Sequence, residues 1–139
     1  MSTNAVRLPL PRTTAISRPF WDACRRHQLM VQRCDACGRF IFIPQDFCRH
    51  CLSQDLTWVP SSGRGRVYSY TVVWRPQTPA FPVPYVVAII DMDEGYQMLS
   101  NVVGCPTETV FIGMPVEVVF EDASPEISLP KFRPATPVS

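Results

Sequence analysis

The sequence predicts a mainly β protein: an N-terminal helix and a zinc ribbon, followed by a five-stranded OB-fold barrel. Three observations lead there. Two Cys-x-x-Cys pairs, Cys34/Cys37 and Cys48/Cys51, stand ten residues apart in CDACGRFIFIPQDFCRHC. Behind them, about seventy residues hold five β-rich stretches joined by hairpin-like turns, the texture of a small closed barrel, with a small sandwich as the alternative. Ahead of them, Phe20, Trp21 and Cys24 recur at helical spacing with His27 or Gln28.

The expected organisation is a flexible arm over 1–16, helix and ribbon over 17–60, barrel over 61–134 and a tail over 135–139. At 139 residues and 46% hydrophobic content the chain can bury a real core. Thirteen basic against 12 acidic residues give a net charge of +1, no strong field for nucleic acid or an anionic membrane. The first sixteen residues hold no continuous apolar run, so no secretory leader is expected. The apolar run around Val86–Ile90 is too short to span a bilayer. Free cysteines with a metal cluster fit a reducing cytoplasm.

Taken in order, Pro9 and Pro11 discourage helix in the arm. Ser17 is expected to cap a helix from Arg18 to Gln28, with Pro19 tolerated in its first turn and Arg25 and Arg26 near its C-terminal end. One short helix cannot bury Phe20 and Trp21 by itself, so it docks either on its own domain or on a partner. Leu29–Arg33, Arg39–Ile43 and Leu56–Val59 read as three ribbon strands around the two knuckles. Such a piece is too small for a stable apolar core, so the metal must hold it.

A Cys-x-x-Cys turn aims two thiolates at one point, and a second turn supplies the other half of a tetrahedron. Cys34, Cys37, Cys48 and Cys51 thus form a closed set of four sulfurs, the donor set of structural Zn²⁺. Iron suits four thiolates too, and an Fe–S or single-iron centre is the rival metal. Gly38 suits the knuckle, where a positive φ is cheap only for glycine. A redox pair would open a helix in a βαβ unit, which neither pair does. His50 lies inside the second pair but is superfluous to a completed tetrahedron. Cys24 and Cys105 read as ordinary small buried or half-buried residues, since neither has a convincing base nearby.

Ser61-Ser62-Gly63 is expected to be a hinge. Val67–Trp74 then reads as a strand with Tyr68, Tyr70, Val72 and Trp74 on one face. Tyr85–Asp91 reads as a strand buried on both faces, and Asp93-Glu94-Gly95 as a hairpin turn. Gln97–Val103, Val116–Glu121 and Ser128–Phe132 complete the five. The connection from Arg75 to Pro84 carries Pro76, Pro79, Pro82 and Pro84 around Phe81. It is either a rigid loop folding Phe81 back onto the barrel or a preorganised ledge for a partner. No phosphate-binding glycine loop, nucleophile elbow or zinc-protease motif occurs. On its residues alone the chain reads as a binding or scaffolding protein with no catalytic residue of its own.

The order of features resembles a known family, the rubredoxin-like zinc ribbon plus OB-fold proteins called "domain of unknown function thirty-five". The resemblance runs from about Ser17 to Pro134. It rests on Arg18-Pro19-Phe20-Trp21, on Gln32-Arg33-Cys34 leading to Cys37-Gly38, and on Cys48 with Cys51. It continues through Gly63, Gly65, Val67-Tyr68-Ser69-Tyr70-Thr71, Pro84-Tyr85-Val86-Val87-Ala88, Ile112-Gly113-Met114-Pro115-Val116 and Leu129-Pro130-Lys131-Phe132-Arg133-Pro134. The resemblance implies an accessory subunit of a thiolase-like enzyme acting on acyl-CoA, with the catalytic groups on that partner. It fixes no catalytic residue here.

Phe20, Trp21 and Phe81 are the candidate partner contacts. Arg64, Arg66 and Arg75 are candidates for CoA phosphates, if the barrel binds acyl-CoA or a lipid directly. Single-stranded nucleic acid is a third expectation, since Tyr68, Tyr70 and Trp74 beside Arg64 and Arg66 offer stacking and charge. The near-neutral chain, with Glu121, Asp122 and Glu126 near its end, argues against it.

Overall fold

Helix α1 runs over Arg18–Arg25 and turns Phe20, Ala23 and Cys24 inward. The computed structural model describes residues 14–75 and 83–135; most of the expected arm, the Phe81 ledge and most of the tail lie outside them. Ser17 occupies the N-cap position but gives no side-chain cap. Its hydroxyl instead receives the Thr14 N–H at 3.0 Å and pairs with the Thr14 hydroxyl at 2.9 Å, so the expected cap is spent on the preceding turn. The helix also stops three residues short of Gln28. His27 takes φ +57°, and the N–H groups of His27 and Gln28 turn back to Cys24 and Ala23. That is a left-handed closure of the helix end, which satisfies its last carbonyls.

Three short strands make the ribbon: β1 (Met30–Cys34), β2 (Phe40–Ile41) and β3 (Leu56–Pro60), in the order β2-β1-β3, all antiparallel. The second is shorter than Arg39–Ile43 because the chain leaves the ladder at Phe42. The buried Gln32 side chain holds that departing loop, donating to Gln45 O at 2.8 Å and accepting from Gln45 N at 2.7 Å.

Five strands follow: β4 (Arg64–Val73), β5 (Tyr85–Met92), β6 (Gln97–Val102), β7 (Pro115–Asp122) and β8 (Ser128–Pro134). They close in the order β4-β5-β6-β8-β7, with β6 meeting β8 in parallel at Val102 and Phe132. The barrel is therefore the expected architecture, and the sandwich is not. Inward side chains of Val67, Val86, Ala88, Ile90, Val116 and Phe132 fill it.

Two expectations change here. β5 is fully buried on one face; Val87 and Ile89 on the other are half-buried. On β4 the simple alternation breaks at a bulge between Val67 and Ser69, and Tyr68, Tyr70 and Trp74 end up exposed.

The ribbon is not a separate bead. Phe20, Cys24, Leu29 and Val31 belong to one continuous core with the barrel, and Phe40, Phe42, Trp58 and Val59 pack against it. The expected hinge is correspondingly pinned. Ser61 N donates to Leu29 O, and the Ser61 hydroxyl donates to the Glu94 carboxylate at 3.1 Å while accepting from the Tyr96 hydroxyl at 2.8 Å. Ser62 N also donates to Glu94, and Gly63 O accepts from Val118 N. Glu94, read in the sequence only as a turn residue, is the tie between the modules.

Candidate metal centre

The two knuckles are built alike. Cys34 N donates to Arg39 O and Gly38 N returns to Cys34 O; fourteen residues later, Cys48 N donates to Ser53 O and Leu52 N returns to Cys48 O. Gly38 has φ +77° and Leu52 has φ +66°, so each turn needs one left-handed residue after its second cysteine. The first uses glycine; the second forces leucine there, a strain of about 1–2 kcal/mol.

This repetition brings the Sγ atoms of Cys34, Cys37, Cys48 and Cys51 within 4.8 Å of one another. Cys34 to Cys51 measures 3.5 Å and Cys37 to Cys48 3.7 Å. A tetrahedron with Zn–S bonds of about 2.3 Å has sulfur–sulfur edges of about 3.8 Å, so these residues fit the ion. Backbone N–H groups of Cys37 and His50 point at the Cys34 and Cys48 sulfurs. Burial alone would raise the Cys48 thiol, but the N–H groups of Cys51 and His50 and the neighbouring thiols pull it down to about 7. The Ser53 N–H favours ionisation of Cys51, yet the crowd of sulfurs, Cys34 first, pushes it up to about 12. Four thiolates can coexist here only around a cation. The donor set binds structural zinc.

His50 is exposed and receives the Arg39 guanidinium at its Nδ1 at 2.8 Å, outside the sulfur set. Cys24 is fully buried on α1, and burial pushes its thiol up to about 12. His27 stacks on Phe120 at 5.4 Å and bonds Asp122 at 2.8 Å, clamping the helix end to β7. That clamp was hidden in the sequence, since 95 residues separate the partners.

Phe20 is buried in the chain's own core, edge-on to Trp21 at 4.9 Å and to Phe42 at 5.6 Å, and also lines the groove beside Trp21. Trp21 remains half-buried on the wall of a groove of about 400 Å³. Exposed Ile43 and Leu99, from the ribbon and from β6, form other parts of that wall. The three arginines do not converge. Arg64 and Arg66 start β4, whereas Arg75 lies beyond its far end, on the order of 30 Å away along an extended strand. Arg66 donates to Gly113 O, and none of the three lines the groove. Phe81 lies outside the described residues.

Two family models match in tandem: "ChsH2, rubredoxin-like zinc ribbon domain" over residues 21–57 and "ChsH2, C-terminal OB-fold domain" over residues 58–121. The chain belongs to this family. A probable enoyl-CoA hydratase alpha subunit from Thermomonospora curvata is 44% identical over 85% of the chain. The chain spans only 37% of that protein and 36% of a second, related hydratase alpha subunit.

A "DUF35 domain-containing scaffold protein" from Methanocaldococcus jannaschii is 35% identical, with 80% of each chain covered. A benzoylsuccinyl-CoA thiolase subunit from Geobacter metallireducens matches 52% of the chain, and 48% of its own length, at 32% identity. Among solved structures, a chain of the "Ltp2-ChsH2(DUF35) aldolase" superposes with a TM-score of 0.84 at 39% identity, covering 91% of this chain and all of that one. This ribbon-and-barrel family thus includes members that are subunits of thiolase and aldolase assemblies.

Proposed function

We propose that this chain is a non-catalytic accessory subunit that binds a thiolase-fold enzyme acting on acyl-CoA and is required for that enzyme's active complex. The observation that carries the reading is where the fold spends its reactive and its apolar groups. Four cysteines serve the metal, Cys24 is sealed in the core, and both histidines are engaged, with Asp122 and with Arg39. Among the described residues neither histidine ring is bonded to a hydroxyl or a thiol. Apolar side chains meanwhile remain outside: Ile43, Leu99, Trp74, Phe111 and Ile112 are each more than half exposed. Surface of that kind marks contact with another molecule. Trp21 and the groove beside it are part of it, and the zinc keeps the ribbon wall of that groove in shape.

The test is affinity purification from the native cell, followed by assay of the companion enzyme with and without this chain. A near-stoichiometric thiolase-fold protein whose activity collapses without the chain is the expected result. An enzyme fully active alone refutes the reading. The apolar groove also favours a second reading, direct acyl-CoA or lipid binding; calorimetry with CoA esters on the isolated protein tests it, and no heat at millimolar ligand eliminates it.

A further inference from the structure

β4 is ten residues long, but its outer neighbour covers only the start. β7 pairs with Arg64–Arg66, and the turn before β7 adds Val67, which donates to Met114 O at 3.0 Å and accepts from Gly113 N at 2.7 Å. From Ser69 to Val73 the strand pairs with β5 alone. Strand pairing alternates: every second residue directs its N–H and C=O to one neighbour, and the residues between direct theirs to the other. The outward groups of this five-residue overhang, about 16 Å of strand, meet no backbone partner among the described residues.

Sheet edges are normally protected by charge, proline or a covering segment. Val67 to Trp74 reads VYSYTVVW, without charge, proline or glycine. The bulge after Val67 marks where the overhang leaves the closed barrel, and Tyr68 to Thr71 are all exposed. Apolar side chains bracket the edge. Phe111 and Ile112 stand at its start, in the turn bonded to Val67, and Trp74, 68% exposed, follows its end.

We infer that the partner enzyme adds an extended strand to this edge, along Ser69–Val73; the inference rests on the accessory-subunit reading above. Backbone pairing supplies the attachment, and an uncharged guest strand suits the flanking side chains. A second copy of this chain fits less well. In a two-fold pairing centred on Thr71, the neighbour's Arg75 would face Val67, where Gly113 already sits. The turn closes the slot at that end and selects a short guest strand that departs there.

Hydrogen exchange on the free chain and on its purified complex with the thiolase-fold subunit tests this. Peptides covering residues 68–74 are expected to slow at least tenfold in the complex. A Ser69→Lys/Thr71→Lys double variant, altered at two exposed positions, is expected to keep its zinc and its fold while binding the subunit at least tenfold more weakly. A complex that forms normally but leaves 68–74 unprotected, or that tolerates the double variant, overturns the strand addition and leaves the accessory role standing. Failure to find any thiolase-fold companion overturns both. Protection of 68–74 in a homodimer of the free chain overturns the choice of guest.

Discussion

Gly65→Ala puts the barrel's closure to a direct test. Gly65 is buried on β4 between Met92 of β5 and Val116 of β7. A Cβ built there would lie 2.6 Å from Asp91 O and 2.9 Å from Ile90 Cγ2. Ordinary carbon–oxygen approach is about 3.3 Å, so β4 and β5 would have to part by about 0.7 Å. The nearest obstacle is backbone, and β7 holds the other side, so neither neighbour can yield by rotating a side chain. Overpacking of this kind costs about 1–3 kcal/mol, and this site belongs at the upper end.

For a chain of this size that loss lowers Tm by roughly 10 °C. Thermal unfolding of the zinc-loaded protein followed by circular dichroism measures it. Gly113→Ala is the contrast: nothing lies within 4 Å of its Cβ, but its φ of +89° means that only backbone strain is added. If Gly65→Ala melts within about 2 °C of wild type, the clash argument is wrong.

Two further outcomes are expected. Replacing any one of Cys34, Cys37, Cys48 or Cys51 by Ser should abolish stoichiometric zinc in metal analysis, whereas Cys24→Ser and Cys105→Ser should retain one ion per chain. Tyr96 should make the fold sensitive to alkali. Burial, opposed by its bond to Ser61 and reinforced by the Glu94 charge, holds its phenol up to about 12. The folded pKa is raised above the ordinary 10, so this stability is complete below about pH 10 and is lost as pH climbs through 12. Its full size is about 2–3 kcal/mol, from two pKa units at 1.36 kcal/mol each. Denaturant unfolding at about pH 9 and about pH 11.5 should show the loss in wild type and a smaller one in Tyr96→Phe.

Local chemistry made most of this fold legible. Cysteine spacing gave the metal cluster, because four ligands in two turns leave little geometric freedom. Strand texture and turn residues gave the five barrel strands and their order along the chain. Long-range packing stayed hidden for a physical reason. Phe20 packs inward against Phe42, which leaves the ribbon ladder at the start of a loop that Gln32 holds at Gln45. Glu94 looked like turn chemistry because its two serine partners lie more than thirty residues away. The bulge after Val67 has no sequence signature, yet it turns an apparently alternating strand into an exposed edge. Leu52 gave no hint of its left-handed backbone; comparison with Gly38, fourteen residues earlier in the equivalent knuckle, was the available clue.

The ribbon's two faces explain why metal and barrel are both needed. On the metal side its own buried cluster is Cys34, Ile41 and Cys48 with Leu56 against them, too little apolar surface to hold two knuckles closed. On the other side Val31, Phe40, Phe42, Trp58 and Val59 lean on the barrel's core. The expectation that the metal must hold the ribbon is joined by a second support: zinc fixes the knuckles, and the barrel fixes the strands beneath them. Phe42 joins the two, because it packs against Phe20 of the helix and Tyr96 of the barrel. The groove beside Trp21 has walls from helix, ribbon and barrel at once. Its shape consequently depends on all three staying docked, which is how a structural zinc ion can matter to a surface it does not touch.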